Sequence, residues 1–388
     1  KPFMSFGRMP IANGFLREKD FKKEFFFEME VGFSKDVSLF QLNEHPKPTL
    51  MFNKNYPFFT SSSKGMIRHF KKYARWIKKN YFKNVKNLIE IGSNDGTFLK
   101  NFNSDKINNI GIEPSKNVAF FAKKNGIKTI NKFFNYKNAS KLKGLKNNTD
   151  IICAANAICH VPDLTDLIRG IDLLLNKNGF FIFEEPYLGS MFKKISYDQI
   201  YDEHIFMFSV SSIKKIFDLF DLELIDVAPQ TTHGGSMRYV ITRKNSHKVK
   251  NIVQRYLNYE KKNGIDNIKG CLKFKKKCEL SKKKLSNKIS NIIKSGKKIA
   301  GYAATSKSTT ILNYCNINDK HINYICDTTA EKIGKYAPGT HIPIVSVKYF
   351  RKHIPDYTFL FAWNHKREIF KKEKKLLKKT KWIAHIKI

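Results

Sequence analysis

The sequence has no apolar run approaching the roughly 18 residues that a membrane-spanning helix needs, so no helical membrane span is expected. Its opening Lys-Pro-Phe-Met-Ser runs into mixed polar sequence, not the apolar block of a secretory signal, and the chain is read as cytoplasmic. No CxxC pair occurs among the six cysteines, Cys153, Cys159, Cys271, Cys278, Cys315 and Cys326. Without an export signal, a disulfide framework is not expected; Cys153, Cys315 and Cys326 lie in apolar contexts and read as small core residues. Acidic residues are scarce, 33 Asp and Glu against 72 Lys and Arg, for a formal charge of +39. That balance invites nucleic acid. The lysines, however, come in short runs along the whole chain, on polar helix faces with asparagine as companion and without interleaved aromatics. They read as solvated surface with a general attraction for phosphorylated ligands, and no nucleic-acid partner is expected.

What is present is a globular composition, 41% hydrophobic and 27% charged. A chain of 388 residues exceeds one compact core. Residues 1–65 read as a small, mostly irregular lobe with a short strand near residues 25–31. Met66, Phe70, Tyr73 and Ile77 recur at helical spacing. Strand and helix then alternate: strands at 87–91, 109–112, 127–130, 150–155 and 180–184, with helices from Gly96, from Ser115 as cap to Asn125, and over 164–175. Two further strands follow, at 222–227 and 237–242. The pattern predicts a parallel sheet covered by helices on both faces. A lysine-rich, helix-prone connector over 244–294 precedes a second alternation, with strands at 298–302, 322–326 and 357–361 and a helix near 309–314. The division expected is 1–65, 66–243 and 244–388, an α/β chain with two Rossmann-like units.

The chemistry-bearing segment is Glu90-Ile-Gly-Ser-Asn-Asp-Gly96, at the carboxyl end of the first strand of the alternation. Gly92 and Gly96 allow a tight turn and close backbone approach to a ligand. The next strand ends in Glu113, followed by Pro114, where an acidic side chain can hold ribose hydroxyls. The NAD-type GxGxxG is absent. Acidic groups at this mouth suit a ligand with cationic sulfonium and amino groups better than a pyrophosphate, so S-adenosylmethionine is the expected cofactor. Glu90, Gly92, Ser93, Asn94, Asp95, Glu113 and Pro114 are its candidate contacts. Phe133 and Phe134 are candidates to stack on adenine, and Asn156 closes the set.

Ordered blocks from Pro10 to Trp363 carry a wider resemblance. They include Pro10-Ile-Ala-Asn-Gly-Phe15, Tyr56-Pro-Phe-Phe-Thr-Ser-Ser62, Gly111-Ile-Glu-Pro-Ser-Lys-Asn-Val-Ala119, His160-Val-Pro-Asp163, Glu185-Pro-Tyr187 and Ile200-Tyr-Asp-Glu-His204. Further on come Thr232-His-Gly-Gly-Ser-Met-Arg238, Gly301-Tyr-Ala-Ala-Thr-Ser-Lys-Ser308, Leu312-Asn-Tyr-Cys315, Pro338-Gly-Thr-His-Ile-Pro-Ile344 and Trp363-Asn364. In these the chain resembles the sugar C-methyltransferases that act on nucleotide-linked 4-keto sugars and carry a characteristic C-terminal domain. The resemblance implies a class I methyltransferase domain between a small N-terminal lobe and a nucleotide-sugar-binding α/β domain. It implies proton removal beside a ketone, then methyl transfer to the enolate carbon. His204 matches the base, with Tyr201 and Glu203 orienting it or the sugar, and His160 and Tyr187 as further partners. On the substrate side it points to Tyr56, Ser62, His233, Arg238, Tyr302, Ser306, Lys307, Ser308, Asn313, Asp327, His341, Trp363 and Asn364. Ser306, Lys307 and Ser308 read as a polar loop after a buried strand, suited to phosphate oxygens. The partner implied is a small nucleotide sugar, the chain a monomer or homodimer.

The sequence departs from that family in three places. Where the family's second zinc-binding cysteine pair falls, Ser34 and Val37 stand, and neither replaces a thiolate, so no metal is expected and the lobe is expected to hold by packing. Asp202 stands where histidine is common and Phe58 where tyrosine is. Methylation of a sugar hydroxyl or of another small phosphorylated substrate is the alternative. A nucleic-acid methyltransferase, for which an Asn-Pro-Pro-Tyr motif is lacking, and a non-catalytic SAM-binding protein stand behind it.

Overall fold

The computed structural model describes residues 2–54 and 56–388, and three sheets organise them. The first is antiparallel: β1 (Pro2–Pro10), β2 (Phe26–Ser34) and β3 (Leu39–Leu42), in that order. The sequence conceals most of it because β1 is irregular. Its register with β2 slips between Ser5 and Arg8, and Gly7 there takes φ +75°, so the two-residue alternation that marks a strand is interrupted.

The second sheet holds β4 (Asn87–Ile91), β5 (Asn108–Ile112), β6 (Thr129–Ile130), β7 (Thr149–Ala155) and β8 (Leu175–Pro186), all parallel. A two-residue strand β9 (Phe206–Met207) leaves this region to join β3 of the first sheet. Then β10 (Leu222–Gln230) and β11 (Ser236–Arg243) complete the second sheet, with β11 antiparallel between β8 and β10. The order β10-β11-β8-β7-β4-β5-β6 is that of a class I methyltransferase domain, as expected. The helix expected from Gly96 is not there: the chain makes turns and a 3-10 helix, Leu99–Phe102. Ser115 stands at the N-cap position of the helix Lys116–Lys124, but its side chain makes no capping bond. The helix Lys64–Tyr81 buries Met66, Phe70, Tyr73, Ala74, Ile77 and Tyr81, each large side chain contributing about 1.5–3 kcal/mol of transfer free energy.

The connector is two helices, Asn251–Asn263 and Ile268–Lys294. The third sheet follows, all parallel: β12 (Ile299–Tyr302), β13 (Ile325–Asp327), β14 (Ile344–Ser346), β15 (Tyr357–Leu360) and β16 (Lys381–Ile383), in the order β14-β13-β12-β15-β16. Strand order reverses between β12 and β15, and ligands of open α/β sheets bind at such a point. One apolar cluster runs from Met4, Met29 and Phe40 of the first sheet through Phe274 and Cys278 of the long helix to Ile311 and Phe359 of the third unit. The N-terminal sheet therefore shares its core with the C-terminal unit. No described helix is long and apolar enough to cross a membrane.

Candidate active site

A cleft of about 1380 Å³ opens where the carboxyl ends of β4, β5 and β7 face those of β12 and β13. A pocket for one small ligand measures about 300–1,000 Å³, so this volume suits two.

The first wall carries the glycine-rich turn. Gly92 takes φ +70°, and a Cβ there would lie 2.5 Å from the Ala157 Cβ, so no side chain fits. Glu90, Gly92, Ser93, Asn94, Glu113, Pro114, Phe133, Phe134 and Asn156 all line the cleft. Glu90 is buried, and its Oε2 has no partner. Burial, with Asp95 and Glu113 nearby, pushes its carboxyl well above the usual range. Glu113 accepts from the Asn94 and Ser115 backbone N–H groups at 2.9 and 2.7 Å, yet burial still pushes it up. A buried Glu90 oxygen without a partner, at a close backbone turn, fits a cationic cofactor. Phe133 is partly exposed, whereas Phe134 belongs to the core and packs beside Gly170.

Asp95 does not line the cleft. It accepts from the Ser61 N–H at 2.8 Å and from the Thr97 N–H and hydroxyl at 3.2 and 2.6 Å. Asn94 accepts from Thr60 and donates to the Phe58 carbonyl. The turn thus pins residues 58–61 across the cofactor wall, and Tyr56, Phe58 and Ser62 line it.

His204 stands between the walls. Its Nδ1 donates to the Gln199 carbonyl at 2.9 Å, which leaves Nε2 to accept from the Tyr201 hydroxyl at 2.7 Å. Its loop is held on several sides. Thr310 of the helix Ser306–Tyr314 donates to the Ile200 carbonyl, and the Ile205 N–H donates to the Cys159 carbonyl. The Leu42 N–H donates to the Ile205 carbonyl, and β9 follows at once. Burial, with His160 beside it, holds the His204 pKa well below the ordinary value, so the imidazole is neutral at pH 7. The His160 ring meets it edge-on at 5.3 Å, its pKa lowered to about 4 by burial. His233, lowered to about 3 mainly by burial, contacts the Asn156 amide. Glu203 accepts from Asn13 at 2.6 Å. Asp202 points away from the cleft and accepts from the Ala12 N–H at 3.0 Å.

On the second wall, Tyr302, Ser306, Lys307, Asp327 and Asn364 line the cleft. The polar segment at 306–308 is not a loop but the first turn of the helix Ser306–Tyr314. Lys307 is buried with no hydrogen-bond partner for Nζ, which lies 5.0 Å from the Trp363 ring centre. Burial lowers its pKa, with Asp198 opposing.

Seven expected contacts lie outside the cleft, each spent on structure. Besides Asp95, the Tyr187 hydroxyl donates to buried Glu260 at 2.8 Å. Arg238 pairs with Glu184 between the Tyr73 and Trp76 rings. Ser308 completes a capping box with Thr305, and Asn313 donates to the Thr309 and Pro338 carbonyls. His341 pairs with Glu24 at 2.7 Å, and Trp363 donates to Asp198 at 2.7 Å. Sequence reasoning missed Asn13, Lys332 and Glu185. Glu185 accepts from the Ala157 and Ile158 N–H groups at 3.0 and 2.7 Å and so shapes the turn bearing His160. Its place in the block ending at Tyr187 was the available signal.

Three family models match in succession: a zinc-binding domain over residues 1–52, a methyltransferase domain over 66–227, and a C-methyltransferase C-terminal domain over 231–386. The C-methyltransferase NovU of Streptomyces niveus is 29% identical over 377 residues, 96% of this chain and 90% of that protein. Among solved structures, the PH0226 protein of Pyrococcus horikoshii OT3 is 12% identical with a TM-score of 0.39, covering 48% of this chain and 95% of that one. The SAM-bound magnesium protoporphyrin IX methyltransferase of Synechocystis PCC 6803 is 11% identical with a TM-score of 0.35, covering 46% and 80%. Residues 1–52 do not fit a zinc ion: they contain no cysteine and one histidine, His45. Among the described residues, no group of three metal-ligating side chains gathers there.

Proposed function

We propose that the chain is an S-adenosylmethionine-dependent C-methyltransferase of the kind that carries this C-terminal domain, and that it methylates a carbon beside the ketone of a nucleotide-linked keto-deoxysugar, with His204 as base. S-adenosylmethionine supplies the electrophilic methyl group. The observation that carries the reading is that one cleft holds the acidic cofactor wall, the Tyr201–His204 pair and the buried Lys307. The Gln199 carbonyl fixes the proton of neutral His204 on Nδ1, so the lone pair of Nε2 faces Tyr201 and the cleft. Nε2 takes the proton from the carbon beside the ketone, and the C–H electron pair becomes the enolate π bond. The Tyr201 hydroxyl and the neutral His160 ring are the donors at hand for the enolate oxygen. Lys307, at the start of a helix, meets the phosphates. Asp202 lies outside the cleft lining and accepts from the Ala12 N–H, which supports the carbon reading despite the departure there.

The test is isotope exchange without S-adenosylmethionine. In D2O, the wild type exchanges the proton beside the ketone of a nucleotide-linked keto sugar, and with the cofactor the product gains 14 daltons (one CH2). His204→Asn loses both activities. No exchange by the wild type, together with full methyl transfer by His204→Asn, sinks the assignment of the base.

A further inference from the structure

The geometry points to a three-ligand metal site beneath the base, formed by Cys159, His160 and His204 and suited to a thiophilic divalent cation, zinc first, whose binding switches methyl transfer off. The ligand atoms of the three side chains lie within 4.8 Å of one another. Zinc bonds of about 2.0 Å to nitrogen and about 2.3 Å to sulfur close that triangle with side-chain shifts of about an ångström or less. The two segments involved are already tied together. Cys159 and His160 are consecutive on the 3-10 helix Ile158–His160, and the Cys159 carbonyl accepts the N–H of Ile205, the residue after His204. Nδ1 of His160 is buried without a hydrogen-bond partner. Nε2 of His204 needs only to exchange the Tyr201 hydroxyl for the ion. Cys159 forms no disulfide, and its buried thiol is hydrogen-bonded to the Glu185 carboxyl, which alone would be ordinary core packing; two imidazoles against it make a donor set of the kind zinc prefers. On binding, a metal–thiolate bond forms and the thiol proton leaves to the buffer. Because His160 and His204 line the cleft, the remaining coordination position opens toward the substrate.

The site rests on the placement of these side chains; its inhibitory effect rests on the role proposed for His204. The full chain, stripped with a chelator, is titrated with cobalt(II). One equivalent should produce a near-ultraviolet thiolate-to-cobalt charge-transfer band. Cys159→Ser and Cys159→Ala should each abolish that band, retain methyl transfer in chelator, and raise the zinc concentration for half-inhibition at least tenfold. No band in the wild type, or a band that persists in both variants, overturns the site. A band lost in both variants together with full activity of zinc-saturated wild type keeps the site and removes His204 as the base.

Discussion

The wall built by the seven-stranded sheet and the wall built by the five-stranded sheet both offer the carboxyl ends of parallel strands to the cleft, yet the first presents Glu90 and Glu113 and the second Lys307 and Lys332. Burial dominates on both sides with opposite results: it pushes the two carboxyls up and the two ammonium groups down. Glu90 Oε2 and Lys307 Nζ are each buried without a hydrogen-bond partner, so each wall keeps one group that a ligand of the opposite sign would complete. On the function proposed above, the same architecture serves a cation on one side and phosphates on the other because a few side chains at strand ends differ. Asp327, Glu331 and Glu368 also line the second wall, and the Asp327 oxygens accept from the Ala304 and Thr329 N–H groups.

The largest effect belongs to the seam. His204→Asn should lower kcat by about 10²–10⁴-fold, the usual weight of a general base, while cofactor affinity measured by calorimetry stays within about twofold. Next come the walls themselves. Lys307→Met should weaken nucleotide-sugar binding by about 10–100-fold, as expected for a charge-assisted contact worth about 1.5–3 kcal/mol, and leave the cofactor's affinity unchanged. Glu113→Gln should do the reverse. If either variant weakens both ligands equally, the division of the cleft fails. A subtler measure is proton linkage. The raised carboxyls keep their protons to higher pH than ordinary carboxyls do, and an arriving cation expels them, so cofactor binding should release a fraction of a proton. Lys307, lowered when empty, should take up a fraction of a proton at alkaline pH when phosphate arrives. Titration calorimetry in buffers of different ionisation enthalpy reads both signs; matching signs would break the comparison. The smallest effect lies outside it. Lys275 pairs loosely with Glu279 at 3.8 Å on an exposed helix face, and Lys275→Gln should shift unfolding stability by no more than about 0.5 kcal/mol.

Much of this contrast was legible in the sequence, for identifiable reasons. Strands β4, β5 and β7 are short apolar runs that end in marked residues, and Glu90, Gly92 and Glu113 sit where strand ends meet turns. His204 came from the family resemblance, since nothing local marks it, and Lys307 from that resemblance together with the polar stretch around it. The misplaced residues share one cause. Asp95 bonds to Ser61, and Arg238 to Glu184, tens of positions away. A polar side chain committed to a distant backbone looks, in sequence, the same as one awaiting a ligand. Ser308 is the exception: Thr305 three residues before it is a local capping signal, and it outweighs the reading of 306–308 as a loop. The first sheet was hidden for a different reason, because bulged strands lose the alternation by which strands are recognised.

The burial of all six free thiols has a practical consequence. Burial raises the pKa of every one, so an alkylating reagent meets a thiolate only when the surrounding structure opens. Cys153 lies in β7, Cys271 and Cys278 on the long helix, and Cys326 in β13. Mass-resolved labelling of the native protein would therefore record, peptide by peptide, which unit breathes first and which waits for the whole chain to unfold.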